Sequence, residues 1–264
     1  MKYAQVNSNL IDLWGRPKFN SERLNQLFFS DILKVAKEKE NFCYVTEKDE
    51  YSGWVDRRFI SLISKKEYDN ITISPKHMII KEKVQTLNIG HKSIPPHYLL
   101  YGTELTGCKL SNSMIKIKNG SVNLFVRKNA IKPISDKMKI TQLSADSLIT
   151  EAKTFLGTPY LWGGMSHLGI DCSGFIRIII KRFGASFPRD TKDQILLGDI
   201  IDRNRIQKGD LLFFDRHVAM AIDKNTFIHS SLGGNGVRIN SFNKGEKDYR
   251  LDLDKSLQEV RRIF

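Results

Sequence analysis

A chain of 264 residues with 41% hydrophobic content is long enough for one large domain or two to three small ones with ordinary cores. Its formal net charge of +13 would draw in small anions, but Lys and Arg are scattered among Glu, as in KVAKEKE and ISKKEYD, and no basic stripe interleaved with aromatics argues for nucleic acid. No run reaches the roughly 18 apolar residues of a membrane span, and no signal-peptide pattern opens the chain, so it reads as cytoplasmic, or as secreted if a leader was removed.

In chain order, residues 20 to 63 alternate short apolar runs with turn signals. Strands are expected over Asp31 to Lys37, Phe42 to Glu47 and Ser52 to Asp56, each short and rich in aromatic or branched residues. Residues 77 to 134 repeat the style, and KNGS at 118 to 121 is a hairpin signal because Asn-Gly supplies positive backbone angles. Two small all-β barrels in tandem are expected. The polar stretch KPISDKMKITQLSADS then separates them from a helical region, giving domains over 1–75, 76–137 and 138–264.

In the last domain a helix is expected from Ala145 to Phe155, with Leu148, Ala152 and Phe155 on one side. A second follows GIDCSGF, with Phe175, Ile176, Ile179, Ile180 and Phe183 at helical spacing and Gly184 as its stop. RDTKDQILLG reads as a short third helix. Strands are expected over Asp210 to Phe214, His217 to Ile222, Phe227 to Ser230 and Val237 to Asn240. Helices followed by an antiparallel sheet make an α+β domain.

Cys43, Cys108 and Cys172 are far apart and form no C-x-x-C pair, so neither a disulfide framework nor a thiolate metal site is indicated. Cys43 and Cys108 lie in strand-like surroundings, where a cysteine is a small core hydrophobe. Cys172 differs. Asp171 is a good N-cap, Cys172 falls in the first helical turn, and the positive helix end there favours a thiolate. Taken alone, however, it still reads as a buried hydrophobe. A nucleophile needs a base and the base an orienting group. Of the six histidines, His217 and His229 sit on adjacent predicted strands. A two-residue loop would put them on opposite faces. A three-residue loop at Lys224 to Thr226, or a bulge, puts them on one face.

The ordered strings GTPYLWGG, DCSGF, PRDTKDQ, KGDLLFFD, HVAMAI and FIHSS, over about residues 145 to 263, resemble the NlpC-type, papain-like cysteine peptidases of bacterial cell walls. SERLNQLFFSD and YSGWVDRRFI upstream resemble the tandem SH3-like domains of the subgroup that cleaves γ-D-glutamyl bonds to diamino acids. The resemblance implies an α+β papain-like catalytic domain preceded by two small SH3-like barrels. It makes Cys172 the nucleophile, His217 the base and His229 its orienting partner, with the Tyr160 hydroxyl at the oxyanion site. It places Asp171, Ser173, Asp190 and Thr191 along the substrate pocket, and Tyr51 and Glu22 as the groups that hold a free peptide amine. It implies no metal and no cofactor. The implied partner is a murein peptide, L-Ala-γ-D-Glu-diamino acid, met during wall recycling. An exported wall hydrolase and an inactive peptide- or polymer-binding protein are the alternatives.

Overall fold

The computed structural model describes residues 1–88, 96–107, 109–110, 113–119, 122–135 and 138–264. The chain divides into two compact units, Met1–Ser135 and Asp136–Phe264. Among the described residues no helix is long and apolar enough to cross a membrane.

The first unit is almost all β. Its opening sheet has seven strands in the order Arg23–Phe28, Leu10–Trp14, Ser52–Asp56, Phe42–Thr46, Ile32–Lys39, Lys2–Val6 and Ile60–Ile63. The inward residues of these short alternating runs, including Leu13, Leu27, Leu33, Val45 and Val55, form one core, and Cys43 is part of it. Tyr51 packs against the same core. A helix the sequence reading did not foresee, Lys65–Ile73, follows, started by a capping box between Ser64 and Glu67. Three smaller sheets built from Lys76 to Ile134 then enclose a second core around Ile79, Leu99, Leu105, Ile117 and Val126. The hairpin expected at KNGS joins Met114–Asn119 to Val122–Arg127, with Asn119 paired to Val122. Gly120, Ser121 and Cys108 lie outside the described residues.

In the second unit the elements are α1 (Ala145–Lys153), β1 (Met165–Ser166), β2 (Gly169–Ile170), α2 (Cys172–Lys181), α3 (Thr191–Gln194), β3 (Asp199–Ile200), β4 (Leu211–Phe214), β5 (His217–Ala221), β6 (Thr226–Ser231), β7 (Gly236–Ser241), α4 (Leu251–Ser256) and β8 (Glu259–Arg262). β3, β8, β4, β5, β6 and β7 form one sheet in that order, antiparallel throughout. Sequence reading anticipates β4 to β7 but not β8, the chain's last strand, which inserts between β3 and β4. One face of the sheet carries Leu212, Phe214, Ala219, Ala221, Phe227 and Val260, closed by Leu253 of α4. α2 packs across β5 and β6. It is buried on every side: Phe175, Ile176, Ile178, Ile179 and Ile180 are all fully inaccessible. The apolar stripe therefore understates it, because α1 lies against α2 as well.

Candidate active site

The start of α2 is fixed by one carboxylate. Asp171 caps the helix, its Oδ1 accepting from the Gly174 amide at 2.7 Å, and its Oδ2 accepts from the Gly163 amide at 2.9 Å. Arg189 donates to both oxygens, at 3.1 and 2.6 Å, and also to the Ser173 hydroxyl at 2.9 Å. The approach is close. A Cβ on Gly174 would lie 2.5 Å from the Gly164 carbonyl oxygen and 2.9 Å from Met165 Sδ, so glycine is required by space. The Ser173 carbonyl accepts from Gln194 Nε2, which also ties down the Pro188 carbonyl and so joins α3 to α2.

This anchored turn presents Cys172, 7% exposed, beside Val218 of β5. The Val218 and Ser173 amides and the Thr191 side chain face its sulfur and favour the thiolate. Burial, followed by the adjacent Asp171 charge, outweighs them and pushes the thiol up to about 11. Here the structure corrects the expectation of a resting thiolate: the helix end is present, but the sulfur is desolvated beside a carboxylate. Tyr160 reaches the same place because its backbone bridges Ile170, just before the cap. Burial and the Cys172 and Asp171 charges raise its phenol, which remains a hydrogen-bond donor.

The histidines come from consecutive hairpins. His217 follows a two-residue turn, Asp215 and Arg216, in which Arg216 takes a positive φ of 53°, and pairs with Phe214. β5 and β6 are joined by a three-residue loop, Asp223 to Asn225, one residue earlier than expected. The Ile222 amide donates to the Thr226 carbonyl, and the Asp223 carboxylate gathers the Asn225 amide, the Thr226 amide and the Thr226 hydroxyl. The resulting register puts both histidines on one face, and His217 Nε2 lies 2.7 Å from His229 Nδ1. His229 is fully buried, and its Nε2 lies 2.9 Å from Asn240 Oδ1 on β7. Burial first, then His229 and Arg250, depress His217 to about 3; burial first depresses His229 to about 4. At neutral pH the site therefore holds a neutral thiol and two neutral imidazoles. With Nε2 of His217 committed to His229, its Nδ1 is the ring nitrogen left to take a proton.

Residues 157–253 match the NlpC/P60 family. The chain is 26% identical to dipeptidyl-peptidase 6 of Lysinibacillus sphaericus over 99% of both chains. It is 33% identical to a gamma-D-glutamyl-L-lysine dipeptidyl-peptidase of Bacillus cereus over 72% of its own length and 59% of that relative's. The chain belongs to the NlpC/P60 family. Its enzyme class is that of a cysteine peptidase. An NlpC/P60 family protein crystallised from Bacillus cereus shares the fold, with a TM-score of 0.86 at 23% identity over 98% of this chain and 99% of that one.

Against this NlpC/P60 frame, the expected residues separate into groups. Tyr160 and Thr191 act on the Cys172 sulfur, which also faces the amide of Val218, the residue after His217, and His217 is hydrogen-bonded to His229. Asp190 is half-buried at the start of α3, its carbonyl accepting from the Asp193 and Gln194 amides. Asp171 and Ser173 were expected along the substrate pocket; each is only 6% exposed, and their side chains are spent on Arg189, Gly163, Gly174 and each other. Those hydrogen bonds build the helix start. Glu22 is exposed and Tyr51 half-buried in the first unit. Sequence reading missed Arg189 and Asn240. The signal for Asn240 was strand alternation: β7 pairs Asn240 with Phe227, which shares a face with His229.

Proposed function

We propose that this protein is a cysteine endopeptidase that hydrolyses the γ-D-glutamyl to diamino-acid bond of murein peptides carrying a free N-terminal L-Ala. The observation that carries the reading is the relay itself: a thiol against the Val218 amide, and next to it His217 hydrogen-bonded at 2.7 Å to His229. Similarity to proteins named gamma-D-glutamyl-L-lysine dipeptidyl-peptidase supports the substrate class, and end-to-end similarity to one named dipeptidyl-peptidase 6 supports the peptidase activity.

The chemistry follows from neutral resting groups. As the Cys172 sulfur attacks the γ-glutamyl carbonyl carbon, its proton passes to His217 Nδ1, and the developing oxyanion takes donors from the Tyr160 hydroxyl and the Cys172 amide. His217 then gives that proton to the departing amine of the diamino acid, leaving a thioester. Water, deprotonated by His217, attacks the thioester and releases the acid and the thiol. His229 supports the imidazolium that forms between steps.

The same reading assigns two SH3-like barrels to residues 1–75 and 76–137 and the peptidase domain to 138–264. It has Tyr51 and Glu22 hold the free amine of the peptide, and Asp171, Ser173, Asp190 and Thr191 line the pocket. A pocket that pairs an amine with an acid rejects an acylated one, because the buried acid is left unpaired. That selectivity suits wall fragments being recycled. The test is mass spectrometry of L-Ala-γ-D-Glu-diamino-acid tripeptide and its N-acetyl form after incubation with the protein. Release of the diamino acid from the free tripeptide alone is expected. Equal cleavage of both would remove the amine requirement, and cleavage of neither, with Cys172→Ala indistinguishable, would remove the peptidase reading.

A further inference from the structure

We infer that Asn240 is the positioning residue that sets the proton state of the histidine relay, by holding both rings in the one tautomer that leaves His217 Nδ1 free to accept a proton. The inference rests on the peptidase reading for its consequence in catalysis, and on hydrogen bonding alone for its geometry.

The side-chain amide of Asn240 has two neighbours. One end lies 2.9 Å from the Asp248 carbonyl oxygen, which can only accept, so that end is Nδ2 and it donates. The reverse orientation would set two acceptor oxygens 2.9 Å apart. The Asp248 carbonyl cannot turn away, since it also accepts from the Ser241 amide at 2.9 Å, and the Arg250 amide closes the same loop onto the Ser241 carbonyl at 3.0 Å. Oδ1 of Asn240 therefore faces His229 Nε2 at 2.9 Å. An acceptor there demands a proton on His229 Nε2.

The rest of the relay follows ring by ring. Both imidazoles are neutral at pH 7, His229 depressed to about 4 and His217 to about 3, so each carries one ring proton. With its proton on Nε2, His229 offers Nδ1 as an acceptor. His217 Nε2, 2.7 Å away, must then be the donor, and its own Nδ1 is left with a lone pair. In the opposite tautomer His229 Nδ1 would donate, His217 would carry its proton on Nδ1, and the thiol proton would have nowhere to go. The charged groups that act on the pair are Arg250, Arg238 and Asp252. Asn240 alone among these side chains is within hydrogen-bond distance of His229 Nε2, and it holds that position without adding charge to a ring that is fully buried.

The test compares Asn240→Leu with Asn240→Asp. Both lose the donation to Asp248, so a merely structural role lowers both alike. Leucine also removes the acceptor, whereas a carboxylate keeps it and adds negative charge beside His229. In Asn240→Leu we expect kcat to fall at least about tenfold, within the ~10²–10⁴-fold contribution of general acid–base catalysis, with KM little changed. Nitrogen NMR of the histidines, recorded without substrate, should show the His217 proton redistributed onto Nδ1. In Asn240→Asp we expect the native tautomer, a smaller loss, and an acidic limb of the pH–kcat profile moved to higher pH. Equal losses in both variants, or a native tautomer in Asn240→Leu, would overturn the inference. Because the NMR readout needs no turnover, a protein that cleaves no peptide yet shows the tautomer shift would sink the peptidase reading alone.

Discussion

Replacing Arg189 with Met removes a guanidinium whose side chain is 2% exposed from a carboxylate whose side chain is 9% exposed. Three hydrogen bonds go with it, two to Asp171 and one to the Ser173 hydroxyl. Breaking a buried ion pair from one side costs about 3–5 kcal/mol, since a charge is left without its partner. Asp171 keeps the Gly163 and Gly174 amides and the Ser173 hydroxyl, so the lower end, about 3 kcal/mol, is expected. Urea unfolding reads this directly. In a background carrying Trp14→Phe and Trp54→Phe, Trp162 is the sole tryptophan and reports on the second unit. With an m-value of about 2 kcal/mol/M, the midpoint should drop by about 1.5 M. The double variant Asp171→Asn with Arg189→Met, which leaves no lone charge, should recover part of the loss. A single-variant cost under about 1 kcal/mol, or no recovery in the double, would refute the view that this pair holds the start of the helix.

Other expectations follow from the same site. Cys172→Ala should abolish peptide cleavage while costing only about 1 kcal/mol of unfolding free energy, read from urea unfolding. Tyr160→Phe should lower kcat by about a hundredfold with little change in KM, read by steady-state kinetics. Because burial raises the Cys172 thiol to about 11, alkylation by iodoacetamide should accelerate only at alkaline pH; a plateau already reached at pH 6 would mean a resting thiolate. His229 gives a pH dependence of stability. Its folded pKa, about 4, lies below the ordinary 6.5, so the unfolded chain binds the extra proton and stability, full above pH 6.5, falls as pH drops toward 4. The share of His229 should reach about 2 kcal/mol by pH 5, and His217, depressed further to about 3, should add about as much, the two measured together as the shift in urea midpoint.

What the sequence made legible, and what it hid, divides along a physical line. Residues whose positions follow from backbone periodicity could be read in one dimension. The 3.6-residue spacing of Phe175, Ile176, Ile179 and Ile180 gives α2, and two-residue alternation puts His217 and His229 on one face once the loop length is odd. Asp171 could be read as a cap because capping is local: it acts on Gly174, three residues on. The residues that escaped take their meaning from partners distant in the chain. β8 reads as polar in EVRR, yet Arg262 is neutralised by the fully buried Asp210, 52 residues earlier, and only Val260 within the strand carries the apolar signal. Arg189 looks like a solvated charge after Pro188 until the fold sets it on Asp171.

The same line explains why the expected thiolate was not found. Helix polarity is a local property and was visible, but desolvation is set by what the whole domain packs over the sulfur. At Cys172 the second outweighs the first, so in the proposed mechanism the burden of generating the nucleophile falls on His217 rather than on the helix end. A base with that task needs its accepting nitrogen kept free. In the proposed relay that condition is met from the far side, by an amide whose orientation is dictated by the Asp248 carbonyl. In the relay we propose, competence at the sulfur thus depends on a loop at residue 248 that the six motif strings do not include, and substitutions there should be read for ring tautomer before they are read for stability.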